Sequence, residues 1–227
     1  MEFGIFALFA LVAVVAAGIS YYQKKKRREE LALLARQLGL EYSAQDTVGC
    51  LGYPFRLLTL GDGRGTENVL SGTWQEMSLR EFDYWYYEES TDSKGHRTRS
   101  YSRFSCAVTE VELAMSHLML ERENVFTRLA DHFALKDIEF ESEEFNEAFN
   151  VKSADRRFAN DLLDARMLQW MLTVDGAFEF EVSAKWILCY SKKRAPMELT
   201  PLLGTAKAFR EHIPRVVYEL YGPSGTR

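Results

Sequence analysis

The sequence predicts an α+β fold, an N-terminal transmembrane helix followed by a mainly antiparallel sheet covered by helices. Three observations carry this. A charge-free apolar run is closed by a block of bases; several segments alternate with a period of two and are joined by short polar turns; and segments with a period of 3.6 are not interleaved one for one with the strands, which argues against a parallel, doubly wound sheet. The expected division is residues 1–28 as membrane anchor with a basic stop and residues 29–227 as one cytoplasmic α+β domain.

The apolar run comprises residues 3–22 and carries no charge. At ~1.5 Å per residue its twenty positions reach ~30 Å, the thickness of a bilayer's hydrocarbon core. Ten of them are Phe, Ile, Leu or Val, each favouring insertion by roughly 0.3–0.6 kcal/mol near the helix centre. A cleaved signal peptide would carry its bases before the apolar run; here Lys24, Lys25, Lys26, Arg27 and Arg28 follow it. That charge order places the carboxyl-terminal body in the cytoplasm of a single-pass plasma-membrane protein, with Tyr21, Tyr22 and the five bases at the membrane interface. The lipid bilayer is therefore the first expected partner, through residues 3–22. Small residues at Ala13 and Ala17, and at Ala16 and Ser20, offer a close helix contact for a homodimer.

Leu31, Leu33, Leu34 and Leu38 continue at helical spacing before Gly39, so the helix is expected to run through the basic block to about Leu38. Pro54 opens an expected strand at 55–60, and the segment Gly61-Asp62-Gly63-Arg64-Gly65 turns it towards a second at 67–74. The glycine-rich turn lacks the Gly-Lys-Ser/Thr ending of a phosphate-binding loop. Residues 77–88 read as a long strand, with Phe82, Tyr84 and Tyr86 on one face and Asp83, Trp85 and Tyr87 on the other. A polar connection over 89–97 leads to its antiparallel partner at 99–111, with Phe104, Cys106 and Val108 facing away from Tyr101 and Arg103.

Further expected elements are a strand at 115–121, a helix capped by Asn124, a strand at 137–141, a helix capped by Ser153, a hairpin pairing 177–182 with 185–190, and a terminal helix. That last helix is capped by Thr200 before Pro201 and kinked by Pro214.

Four sets of residues are candidates for chemistry. Trp85, Tyr87, Tyr101 and Arg103 share one hairpin face able to stack on a planar or cationic ligand, or else to pack beneath a helix. The segment 137–147 holds six carboxylates and no base, which suits either a solvated strand face or a divalent-metal hydrolase using Glu139 and Glu141. His96, His117, His132 and His212 lack any companion at metal-ligand spacing, so neither a metal nor a cofactor is expected. Cys50, Cys106 and Cys189 are odd in number and far apart, consistent with a reducing compartment rather than a disulfide framework. Gly222-Pro-Ser-Gly225 lacks the spacing of a nucleophile elbow.

The chain has 28 Lys and Arg against 33 Asp and Glu. Setting aside Glu2 and the five juxtamembrane bases leaves 23 bases against 32 acids, a net charge of −9 for the body. Such a surface repels phosphate backbones, and no basic stripe interleaved with aromatics offsets it, so nucleic acid is not an expected partner.

The apolar span with its basic stop, Leu34-Ala-Arg-Gln-Leu-Gly-Leu40, the Phe82-Asp83-Tyr84 strand and Asp137-Ile-Glu-Phe-Glu-Ser-Glu-Glu-Phe-Asn-Glu-Ala-Phe-Asn-Val151 together resemble a group of uncharacterised bacterial single-pass membrane proteins carrying a domain of unknown function. The resemblance implies a bacterial plasma-membrane protein and brings no activity with it. The functional expectation is a membrane-tethered cytoplasmic binding or scaffolding module for an unidentified protein partner, with a metal-assisted hydrolase as the alternative.

Overall fold

The computed structural model describes residues 2–122 and 135–223, with side chains from residue 11 onwards. A mixed α+β fold is built on a seven-stranded sheet in which every pairing is antiparallel. Helix α1 spans Glu2–Leu38 without a break, so the expected boundary at residue 28 falls inside a continuous helix. It stops where expected: Gly39 adopts φ +71°, open to glycine at little cost, and Leu40 N–H closes on the Ala35 carbonyl at 2.8 Å. Among the described residues no helix is long and apolar enough to cross a membrane. The expected span at 3–22 falls partly on residues 3–10, whose side chains lie outside that set.

Strands β1 (Glu41–Gln45), β2 (Gly63–Trp74), β3 (Met77–Thr91) and β4 (Arg97–Arg122) follow as a meander. The two expected strands at 99–111 and 115–121 are one strand, β4, which absorbs the intervening irregularity as register shifts against its neighbour between Glu110 and Leu118. One edge of β4 takes β3 along its first half and β6 (Phe149–Ser153) along its second; the other edge takes β7 (Glu179–Lys192). The expected hairpin at 177–190 is likewise one strand. Ala184, at φ +54° opposite Met115, bends β7 instead of reversing it.

The sheet carries a buried core on each face. On one, α1, α3 (Arg156–Leu162), α4 (Ala165–Thr173), α5 (Leu199–His212) and α6 (Arg215–Tyr221) bury Leu31, Ala35, Phe158, Met167, Phe209 and Val217 against Leu70, Leu79 and Ala107. On the other, Cys50, Phe55, Leu57 and Leu58 cover Phe82, Tyr84, Phe104 and Leu188. The strand expected at 55–60 is replaced by a 3₁₀ turn, Leu57–Thr59. An alternating strand cannot bury the neighbours Leu57 and Leu58 on the same surface, whereas a helical turn can.

Strand β5 is limited to Lys136–Asp137, shorter than expected, because the Phe140 amide and carbonyl bond the Asn146 side chain rather than a neighbouring strand. Helix α2 (Glu143–Ala148) is capped by Ser142. Asp155, not Ser153, caps α3, since Ser153 ends β6 and donates its hydroxyl to the His117 carbonyl. A 3₁₀ turn at Pro196–Glu198 leads directly into α5, so Thr200 and Pro201 lie in its first turn instead of forming the cap. Pro214, extended at ψ 147°, separates α5 from α6 where a kink within one helix was expected. The helix expected after Asn124 lies outside the described residues.

Candidate functional site

Arg27 belongs to the basic block, yet it is held differently from its neighbours. Its Nε and Nη2 donate to the two Asp83 carboxylate oxygens at 2.7 and 2.6 Å, a bidentate pair, and Nη1 donates to the Arg194 carbonyl at 2.7 Å. Asp83, only 2% exposed, also accepts from Asn68 Nδ2 at 2.9 Å and lies 3.0 Å from Lys193 Nζ. Asn68 sits at φ +57° where β2 shifts register against β3, and its own side-chain oxygen accepts from the Tyr42 hydroxyl. The remaining interface residues of the sequence reading, Tyr21, Tyr22, Lys24, Lys25, Lys26 and Arg28, are all exposed. Lys25 and Lys26 pair loosely with Glu29 and Glu30 one turn on.

Glu81, two residues before Asp83 on the same face, is fully buried, and neither carboxylate oxygen has a hydrogen-bond partner among the described residues. Burial, reinforced by the Asp83 charge, pushes its carboxyl well above the usual range.

The four hairpin residues are brought together. Register places Trp85 opposite Arg103 and Tyr87 opposite Tyr101. The Trp85 and Tyr87 rings are stacked, with centroids 6.4 Å apart and planes 13° from parallel, and Tyr101 lies 5.5 Å from Tyr87 and 6.1 Å from Trp85. Arg99 sits over the Tyr87 ring at 4.5 Å and Arg103 over Tyr101 at 5.1 Å. Trp85 and Tyr87 are half-buried and Tyr101 is 45% exposed, so no helix covers this face among the described residues.

What lies beneath these rings escaped the sequence reading. Gly63 and Gly65 start β2 opposite Tyr87 and Trp85. A Cβ on Gly63 would stand 2.4 Å from the Tyr87 ring, and one on Gly65 2.8 Å from Trp85. The glycines form a floor on which both rings lie flat, leaving the opposite ring faces outward. Two glycines spaced i, i+2 in a strand opposite alternating aromatics are the signal that identifies it.

A second polar cluster joins β4 to β7. Glu181, buried, accepts from His117 Nε2 at 2.5 Å and from the amides of Arg56 and Leu57, which fastens the 3₁₀ turn to the sheet. Burial, with the Glu179 charge adding to it, pushes the Glu121 carboxyl up to about 7. All three cysteines are buried and free, and burial raises their thiols, Cys50 to about 12, so none is an activated nucleophile.

In the acidic segment, Ile138 and Phe145 are buried, Phe140 is half-buried, and Asp137, Glu139 and Glu141 are exposed. Glu139 and Glu141 line an open cleft of about 610 Å³ with Arg156, Asn160 and Gln169, and among the described residues no histidine borders it. Among the described residues no three His, Cys, Asp or Glu side chains converge as a metal site. His96 bonds Asp92 in the hairpin turn, and His212 stacks on Trp170; His132 and residues 224–225 of the glycine-rich tail lie outside the described residues.

No protein-family model matches the chain, and no curated protein matches it in sequence. The fold is similar to that of the crystal structure of the mycobacterial trehalose monomycolate transport factor A, TtfA, with a TM-score of 0.56, 13% identity, and coverage of 83% of this chain and 96% of that one.

Proposed function

We propose that this chain is a single-pass bacterial membrane protein whose cytoplasmic α+β body is a binding module fixed rigidly to its anchor, with Trp85, Tyr87, Tyr101 and Arg103 as the binding face. The observation that carries the reading is the bidentate Arg27–Asp83 pair. A base of the block that follows the apolar run reaches into the sheet, so the helix bearing that run and the body form one unit. The resemblance in the segments 34–40 and 137–151 supports the bacterial plasma membrane, and the structural likeness to a transport factor is compatible with a protein that acts by binding. The hydrolase alternative draws no support from the acidic cleft, which lines two carboxylates with an arginine and two amides.

Two measurements on the full chain test this. In native membranes washed with alkaline carbonate the protein should stay in the pellet, and a photoreactive phenylalanine analogue at Tyr101 should give a discrete adduct that disappears with Trp85→Ala. Release into the carbonate supernatant would refute the anchor. Retention without any adduct would refute the binding face.

A further inference from the structure

We infer that the aromatic–arginine face at the distal end of the β3–β4 hairpin binds the anionic headgroups of the same bilayer that holds α1, as a second, superficial membrane contact. This rests on the anchor proposed above and names the partner of its binding face.

The argument starts from direction. Leu40, just past the end of α1, packs on Gly72, whose strand partner is Leu79; Arg27, thirteen residues earlier, holds Asp83. Moving along β3 from Leu79 to Asp83 therefore follows α1 towards its amino end. The hairpin continues past Asp83 in that sense to Thr91. Trp85 and Tyr87 lie two and four residues beyond Asp83, ~7 and ~13 Å at strand rise. On α1, Tyr22 and Tyr21 lie five and six residues beyond Arg27, ~8 and ~9 Å at helical rise. The three hairpin rings and the two interfacial tyrosines thus occupy one band, and a bilayer that meets α1 there meets the hairpin as well.

The chemistry of that band suits headgroups. Directly paired residues share a face, so Trp85, Tyr87, Glu89, Arg97, Arg99, Tyr101 and Arg103 all lie on the side where α1 packs. That face carries three arginines against one glutamate, while the body as a whole is acidic. Flat, outward-facing rings with guanidinium groups stacked on them are the pairing found at lipid–water interfaces, where the ring sits among headgroups and the cation meets phosphate. The turn beyond, residues 92–96, is polar and exposed, and so belongs in the headgroup layer rather than the hydrocarbon.

The test uses the full chain in vesicles containing brominated phospholipids, with and without anionic lipid, read by tryptophan emission. Of the four tryptophans, Trp74 is buried while Trp170 and Trp186 lie elsewhere in the body. Bromolipid quenching should be present in the unmodified chain, be lost in Trp85→Phe, and fall at least ~twofold with purely zwitterionic lipid or in Arg97→Glu/Arg103→Glu. The charge variants alter exposed side chains only, which separates lipid contact from folding. If the chain stays in carbonate-washed vesicles while aqueous iodide, and not bromolipid, quenches Trp85, the proposal is overturned and the anchor stands. Shielding of Trp85 from iodide in native membranes but not in purified vesicles would assign the face to a protein partner and also overturn it. Failure of the chain to enter vesicles at all would defeat the anchor and this proposal together.

Discussion

Leu79, Glu81 and Asp83 share one strand and one side of the sheet with Trp85, Tyr87 and Glu89, yet the first three are core and the second three are surface. At the root, Leu79, Glu81 and Asp83 are buried, and Asp83 is satisfied by Arg27, Asn68 and Lys193. Two residues further on, Trp85 and Tyr87 lie uncovered on a glycine floor. The strand pattern is the same in both; what differs is how much of the rest of the chain covers it. Alternation therefore reports which side chains share a face, and only tertiary structure decides whether that face is interior.

The largest effect is expected at the root. Arg27→Ala strips a buried carboxylate of its bidentate partner and should cost ~3–5 kcal/mol in denaturant unfolding, whereas the double variant Arg27→Met/Asp83→Leu should recover most of that loss. A double variant as unstable as the single one would show that α1 is held by Leu31 and Ala35 rather than by the ion pair.

Protonation sharpens the contrast next. The Glu81 carboxyl is raised in the folded state above its unfolded value of 4.5. The folded protein therefore binds more protons than the unfolded chain above that pH, and stability falls as pH rises, by up to ~1.4 kcal/mol per pH unit, until the folded group ionises. Glu121, pushed up to about 7, contributes with the same sign. Unfolding curves for the unmodified chain and Glu81→Gln between pH 5 and 9 should diverge, with the variant relatively more stable at the alkaline end. Parallel curves would contradict an upward shift of the Glu81 carboxyl.

The tip should be less sensitive. Gly63→Val forces a side chain into the Tyr87 ring and should cost ~1–3 kcal/mol, with altered tyrosine and tryptophan near-ultraviolet dichroism. Trp85→Ser with Tyr101→Ser removes partly solvated rings and should change stability by less than ~1 kcal/mol while abolishing the proposed lipid contact. A loss of several kcal/mol would mean that the tip is core after all.

The parts legible in the sequence were those set by local pattern. The end of α1 at Leu38 and Gly39 follows from apolar spacing and a residue tolerant of positive φ. The faces of β3 and of the first half of β4 follow from alternation, and the grouping of Trp85, Tyr87, Tyr101 and Arg103 follows from those faces. The parts that were not legible depend on partners distant in the chain. Arg27 and Asp83 are 56 residues apart and His117 and Glu181 64 apart, and neither pair leaves a periodic trace. Strand continuity misled in β4 and β7 for a related reason. A bulge and a turn look alike when only composition is visible, and Ala184 at positive φ has no glycine to announce it.

The unbroken course of α1 from Glu2 to Leu38 also makes it a shaft. Because Arg27, Leu31 and Ala35 key one end into the sheet, the body cannot swivel about the amino-terminal part of the helix, and any rotation of that part is passed on as torque. Inserting a single residue between Tyr22 and Arg27 would turn everything before it by ~100° relative to the body, while inserting four would restore the phase to within ~40° and lengthen the shaft by ~6 Å. The azimuth at which the hairpin meets its surroundings is thus set by the helical phase of the few residues between Tyr22 and Arg27.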